Sequence, residues 1–448
     1  MTTLSPSTNK SRLRRIVGAV RIAFQILRVH GPVAFLKHIA RILGPRITRF
    51  GAETALPQPI PPIDILNMRF PALKTLSIYP VNHPGRRLNI VTDSINSGSL
   101  YGGVATSLIL GSLLAEQWNC PLRVVTRTEP AHTRNFSAVL SANGITHHKN
   151  VEFVFANLAD PVAQLPIGDG DIFLTTSWWT TESVRRAVGS RRIIYLLQED
   201  ERSFFPFGDD MLRCINVFND PQITFIINTQ LLYDFLVSEG FTSIQANGHW
   251  FEPSTSVTSF FYDPASHTGE KQNFFFYARP GHLRNLFYLG LETIEAAIAQ
   301  GVLDPHQWNF HFVGKHIPLI QLDPSVSLHC HQDLSWAEYA ALVRQMDLGL
   351  SLMHSPHPSY PPLDLAASGA VAVTNRYNLK QDLSRYSPNI ICCDLTMPAL
   401  LQGLAHGVQL SRDHTQRLSN YANNRFIQNW PTAFNRILVS LADFSARE

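Results

Sequence analysis

Short apolar runs alternating with helical stretches organise most of this chain. The runs 88–92, 122–126, 151–155, 171–175, 192–197 and 224–228 are five or six residues long and rich in β-branched and aromatic positions. Near-continuous hydrophobicity at that length predicts strands covered on both faces, as in a parallel sheet. A second series follows at 273–278, 308–313, 327–330, 348–352, 371–374 and 389–392, with helices predicted at 285–301, 335–345 and 398–406. Between the two series lie Asn247-Gly248-His249-Trp250-Phe251-Glu252-Pro253, a Ser/Thr run and Tyr262-Asp263-Pro264, a shift in composition that predicts a domain junction. The expected fold class is α/β with two doubly wound domains, at 86–250 and 251–425, whose strand ends share a cleft. The stretch 51–85 is Pro-rich and is expected to be an irregular connector, and 426–448 a C-terminal helix.

At 448 residues the chain is long enough for two ordinary cores. Its net charge of +3 conceals an asymmetry. Residues 1–50 hold ten Lys/Arg and no acid, which leaves 27 basic against 34 acidic residues in the remainder, a net of −7. Basic and apolar positions alternate over 12–45, and Gly31-Pro32 divides the segment in two. The longest uncharged run there is far short of the ~20 residues that span a bilayer, so a pair of basic amphipathic helices lying on an anionic membrane face is expected. The same pattern also suits helices packed on the domain with a solvated basic face. Aromatics interleave only sparsely with the charges, at Phe24 and Phe35 over 12–45, which argues against a nucleic-acid partner. Five scattered cysteines form no disulfide pattern, so a reducing, cytoplasmic setting is expected, on the inner face of the membrane.

Candidate chemistry clusters at the predicted strand ends. Gly102 and Gly103 open a helix after the first strand, where backbone can approach an anion closely. Arg279 and Arg284 lie on the loop after the first strand of the second domain, positioned to clamp a diphosphate, with Asn285 beside them. Gly314 and Lys315 end the next strand, a second close approach and a second cation. The run from Ser351 to Asn375 reads as strand, Pro-rich loop, helix opening near Leu363, and strand. His357, Ser359 and Tyr360 belong to that loop, and Asp364 lies at the helix mouth, placed to accept from sugar hydroxyls. Glu199, Asp200 and Glu201 follow a buried strand, and such a run of acids suggests acceptor binding or general-base work by Glu199 or Glu201. Trp178 and Trp179 are candidates for stacking on a sugar ring. His329/His331 and His354/His357 have plausible ligand spacing but no completing Cys or carboxylate, so no metal is expected.

With those residues in view, the chain resembles the GT-B glycosyltransferases of family 4, in the rhamnosyltransferase-like WsaF branch. The likeness rests on Ser99-Leu-Tyr-Gly-Gly-Val-Ala-Thr106, Thr176-Ser-Trp-Trp179, Tyr195-Leu-Leu-Gln-Glu199, Tyr277-Ala-Arg-Pro280 with Arg284-Asn285, and His357-Pro-Ser-Tyr-Pro-Pro-Leu-Asp-Leu-Ala-Ala-Ser-Gly369, and spans about residues 88–430. It implies a GT-B fold of two facing Rossmann-like domains with a deep cleft, the first binding acceptor and the second the nucleotide sugar. It further implies retaining, metal-independent transfer from a nucleoside-diphosphate sugar, dTDP-rhamnose, to a glycan or lipid-linked acceptor in cell-surface polysaccharide assembly, with no resident cofactor. Arg279 and Arg284 match the family's loop Arg and Lys. Of its Glu-x7-Glu pair, the resemblance places the ribose-binding member at Asp364 and the other at His357. A silent scaffold, an epimerase or a phosphorylase of the same architecture remains the alternative.

Overall fold

The computed structural model describes residues 59–444 apart from 84, 97–101, 161, 163 and 268. The basic leader therefore lies outside the described residues. The chain divides into a unit that ends at Met68 and a body that begins at Arg69. The helix Pro62–Arg69 begins on the second proline of Pro61-Pro62 and exposes Ile63, Ile65, Leu66 and Met68.

Among the described residues of the body the strands are β1 Ile78–Pro80, β2 Arg87–Thr92, β3 Leu122–Thr126, β4 Val151–Phe155, β5 Leu165–Ile167, β6 Asp171–Thr175, β7 Ile193–Leu197, β8 Thr224–Asn228, β9 Gly248–Phe251, β10 Gln272–Ala278, β11 Trp308–Gly314, β12 Ser327–Gln332, β13 Leu348–Leu350, β14 Val371–Asn375 and β15 Ile390–Cys393. One seven-stranded sheet has the order β4-β3-β2-β6-β7-β8-β9, and one six-stranded sheet the order β12-β11-β10-β13-β14-β15. Every pairing in both is parallel. Each sheet reverses direction beside its first strand, between β2 and β6 and between β10 and β13, and doubly wound sheets open their ligand crevice at such a point.

Residues explain the strands. β2, β6 and β7 are buried at every position because helices cover both faces. Phe274, Phe276, Phe310 and Phe312 fill the second core from adjacent strands, their rings 5.6 Å and 4.9 Å apart in register. Gly314 ends β11 where a Cβ would fall 1.7 Å from the Ala278 carbonyl oxygen, so the strand tips close only around glycine.

Two expectations change. The stretch 51–85 is not uniformly irregular: it supplies β1, which pairs with β5 in a small separate sheet, and buries Leu73 and Leu76. The Gly248–Phe251 segment, expected in the junction, is instead the edge strand of the first sheet. The chain crosses to the second sheet and back at a bridge between Ser254 and Ile427. Its helix Trp430–Ser440 then packs on the first sheet's side, with Phe434 4.7 Å from Phe251 and the Trp118 indole donating to the Leu441 carbonyl at 2.8 Å.

Candidate active site

The C-terminal tips of the two sheets meet. Asn228, at the end of β8, donates from Nδ2 to the Tyr360 hydroxyl at 2.9 Å and to Gln198 at 2.9 Å. Tyr360 opens the helix Tyr360–Ala367, whose first turn takes Pro361 and Pro362 because N–H groups there have no partner to lose. That helix begins three residues earlier than expected. Gly102, at φ +67°, faces the Tyr360 ring at 3.7 Å from its virtual Cβ, and Gly103 is packed against Gln198. Gly102 thus serves close packing between the domains and Gly103 packing within the first.

The second sheet supplies the cations. Arg279 follows β10; its Nη1 donates to the Tyr277 hydroxyl at 3.3 Å, its Nη2 lies 2.9 Å from His282 Nε2, and its Nε is buried without a partner. Burial, reinforced by Arg279 and Arg284, pushes His282 down to about 4, so it stays neutral between them. Arg284 sits with its guanidinium 4.3 Å from the Phe204 ring centre, a cation–π contact from the facing domain. Its Nε lies 3.7 Å from Glu199 Oε2, too long for a hydrogen bond. Asn285 is buried against Met353, and Lys315 lies 3.9 Å from Asp333 at the periphery.

The three acids after β7 part company. Glu199 faces the second domain: the Ser355 hydroxyl donates to its Oε1, which also takes the Asp200 amide at 2.9 Å. Asp200 is occupied by Arg202, at 2.8 and 2.9 Å. Glu201 turns inward and accepts the Trp178 amide at 2.7 Å, at the start of the helix Trp178–Val188. Burial raises its carboxyl to about 8, opposed by that amide. The expectation that Glu201 orients an acceptor is thus corrected: it braces a helix N-terminus from inside the core.

In the Pro-rich loop, His357 is 2% exposed. Its Nδ1 accepts the Ser359 amide at 2.9 Å, so the ring proton sits on Nε2, which is buried without a partner. Burial, with Lys380 and Arg284 nearby, depresses it to about 3. Ser359 holds φ +69° to make this turn. Six residues, not seven, separate His357 from Asp364, so strict family spacing would put Pro356 at the first position. Asp364 is not at the helix mouth but within the helix, buried, accepting from the Tyr339 hydroxyl at 3.1 Å, and burial lifts it to about 8.

Sequence reasoning missed Lys380 and Asn375. Lys380 is fully buried and donates from Nζ to the carbonyls of Met353 at 3.0 Å and His357 at 3.4 Å. Asn375, at the tip of β14, takes the Met353 amide at 2.7 Å and donates to its carbonyl at 3.0 Å. Together they fasten the loop that carries Ser355 and His357. Burial lowers the Lys380 ammonium to about 8. The histidine pairs behave as ordinary side chains: His329 and His331 stack on His311 at the sheet edge, and His354 meets the Tyr377 ring. Among the described residues no group of three His, Cys, Asp or Glu side chains is arranged to hold a metal ion.

Two parallel-sheet domains whose strand tips face each other make up a GT-B fold. Structures of similar fold include Alr3699/HepE from Anabaena in complex with UDP and glucose, with a TM-score of 0.54 at 15% identity, covering 79% of this chain and 99% of that one. Another is sucrose-phosphate synthase from Thermosynechococcus elongatus, with a TM-score of 0.51 at 10% identity, covering 80% and 100%. Residues 87–230 match the N-terminal domain of WsaF and residues 272–405 its C-terminal domain, and the chain belongs to the WsaF family. The O-antigen biosynthesis protein RfbC of Myxococcus xanthus is 25% identical over 300 residues, or 64% of this chain; the chain spans only 22% of that protein's length.

Proposed function

We propose that this glycosyltransferase moves a sugar from a nucleoside-diphosphate donor, dTDP-rhamnose, to a saccharide or lipid-linked acceptor in surface-polysaccharide assembly. The observation that carries the reading is the convergence of Arg279 and Arg284 with the tied loop 353–360 at the tips of the second sheet. Cations fixed before substrate arrives stabilise a departing diphosphate as its charge grows, at little reorganisation cost. The unpartnered Arg279 Nε and the His357 Nε2 proton are donors awaiting acceptors, as phosphate or sugar oxygens would be. Asp364 is the candidate ribose ligand, and Gly314 and Lys315 flank the same end of the sheet. Retention follows from attack on the face the diphosphate leaves, the leaving phosphate taking the acceptor proton.

Residues 1–50 attach the enzyme to an anionic inner membrane face, and deletion of them is expected to release it from sedimenting vesicles of phosphatidylglycerol. The reaction is tested by incubating the protein with UDP-, dTDP- and GDP-sugars and following nucleoside diphosphate release, with Arg279→Ala as control. Arg279→Ala is expected to abolish turnover with an unchanged thermal midpoint. Full activity in that variant would refute the diphosphate clamp.

A further inference from the structure

Resting on the reading of the chain as a sugar transferase, we infer that Asp93 and Trp179 form the acceptor-binding platform, which takes a pyranose ring of the acceptor saccharide. Asp93 directly follows β2, the strand beside the switch point of the first sheet. Its main chain is pinned by the amides of Arg127 at 3.1 Å and Thr128 at 2.9 Å on its carbonyl. Its carboxylate takes the Trp179 indole proton on Oδ2 at 2.8 Å. Among the described residues Oδ1 accepts no hydrogen bond, which leaves an acceptor for a sugar hydroxyl. Neither Asp93 nor Trp179 is fully buried.

The indole is fixed in orientation from three sides. Its Nε1 is bound by Asp93, its neighbour Trp178 meets it edge-on at 6.0 Å and 85°, and Phe205 does so at 6.4 Å and 88°. Glu201 anchors the start of this helix through the Trp178 amide, which gives that buried acid its purpose. A fixed aromatic ring with a carboxylate at its edge suits a sugar: the apolar C–H face lies on the ring while a hydroxyl donates to the acid.

Continuity places this platform beside the donor cations. Phe205 and Phe204 are 6.4 Å apart, and Phe204 lies under the Arg284 guanidinium at 4.3 Å. A path of three touching rings therefore connects the cation assigned to the diphosphate with the Asp93 carboxylate. The acids expected to serve the acceptor lie elsewhere, Glu201 behind the helix and Glu199 against Ser355.

The test compares the full-length protein with Asp93→Asn and Trp179→Leu, using a panel of octyl glycosides as acceptor probes. Affinity for UDP and dTDP is measured by calorimetry, and transfer to the glycosides by product formation. Both variants are expected to raise the acceptor KM tenfold or more, with nucleotide affinity within twofold of the parent and donor hydrolysis in the absence of acceptor retained. Unchanged acceptor KM in both variants, with the parent active, overturns the platform and leaves the transferase reading standing. Equal loss of nucleotide binding also overturns it, because the residues would then support the donor site. Parent protein that binds neither nucleotide nor glycoside overturns both. Trp179→Phe, which keeps a ring and loses the bond to Asp93, separates stacking from that bond and is expected to fall between the parent and Trp179→Leu.

Discussion

Glu199 and Ser355 follow strands of different sheets, yet the Ser355 hydroxyl donates to the Glu199 carboxylate across the cleft. The contact is buried on both sides, so the cleft is held together at the point where the Pro-rich loop faces the first domain. Glu199 also lies beside Arg284, its Oε2 3.7 Å from the guanidinium Nε.

Glu199→Gln is therefore expected to lower kcat/KM about a hundredfold, roughly 2.7 kcal/mol, because it removes a charge beside a preorganised cation. Ser355→Ala is expected to cost less. A double-mutant cycle on the two should give a coupling of about 0.5–3 kcal/mol, the range for residues in one hydrogen-bonded network. Additive effects on nucleoside diphosphate release would mean the contact plays no part in turnover.

Much of the fold was legible because parallel sheets bury both faces and write continuous apolar runs. β3, β4, β6 and β8 fall at their expected residues. β9 was hidden because an edge strand carries polar residues such as His249, and the run is only four residues long. The placement of Arg279 and Arg284 after β10, and of the Pro-rich loop after β13, is readable from local context. The parting of Glu199, Asp200 and Glu201 was not, since one short turn, Glu201–Phe204, sends adjacent acids to opposite sides. Asp93 carried no local signal, and its partner Trp179 lies 86 residues away.

Gly314 supports a prediction about folding alone. An alanine Cβ would overlap the Ala278 carbonyl oxygen, a backbone atom in the neighbouring strand. Relief requires prising β10 from β11, so Gly314→Ala is expected to destabilise by about 2–4 kcal/mol, in the range of severe overpacking. The urea midpoint reads this directly, and a shift below half a kilocalorie would show that the strand tips are looser than described.

Lys380→Met keeps much of the apolar stem and removes the ammonium. Met353 retains Asn375 on its carbonyl, whereas the His357 carbonyl loses the Lys380 donor. An orphaned buried carbonyl costs about 1–3 kcal/mol. The expected phenotype is weakened nucleotide affinity, tenfold or more, in a protein that still unfolds cooperatively. Unchanged affinity for UDP and dTDP would show that loop 353–357 holds its shape without the lysine.

His357 sets a pH dependence with a definite sign. The unfolded chain protonates this side chain near the ordinary 6.5, whereas the folded protein holds it down to about 3. Between those values the unfolded state binds more protons, so stability is full above about 6.5 and falls as pH falls, by up to about 1.4 kcal/mol per unit from this group. His282 and His311, both depressed to about 4, act in the same direction. His357→Asn, which does not titrate, is expected to lower the thermal midpoint at pH 7 yet make its decline between pH 6.5 and 4 shallower than in the parent. A nitrogen-15 spectrum of the parent at pH 5 should still show a neutral ring protonated at Nε2. An imidazolium signal at that pH would mean that the ring is less enclosed than its 2% exposure and the Ser359 amide on Nδ1 require.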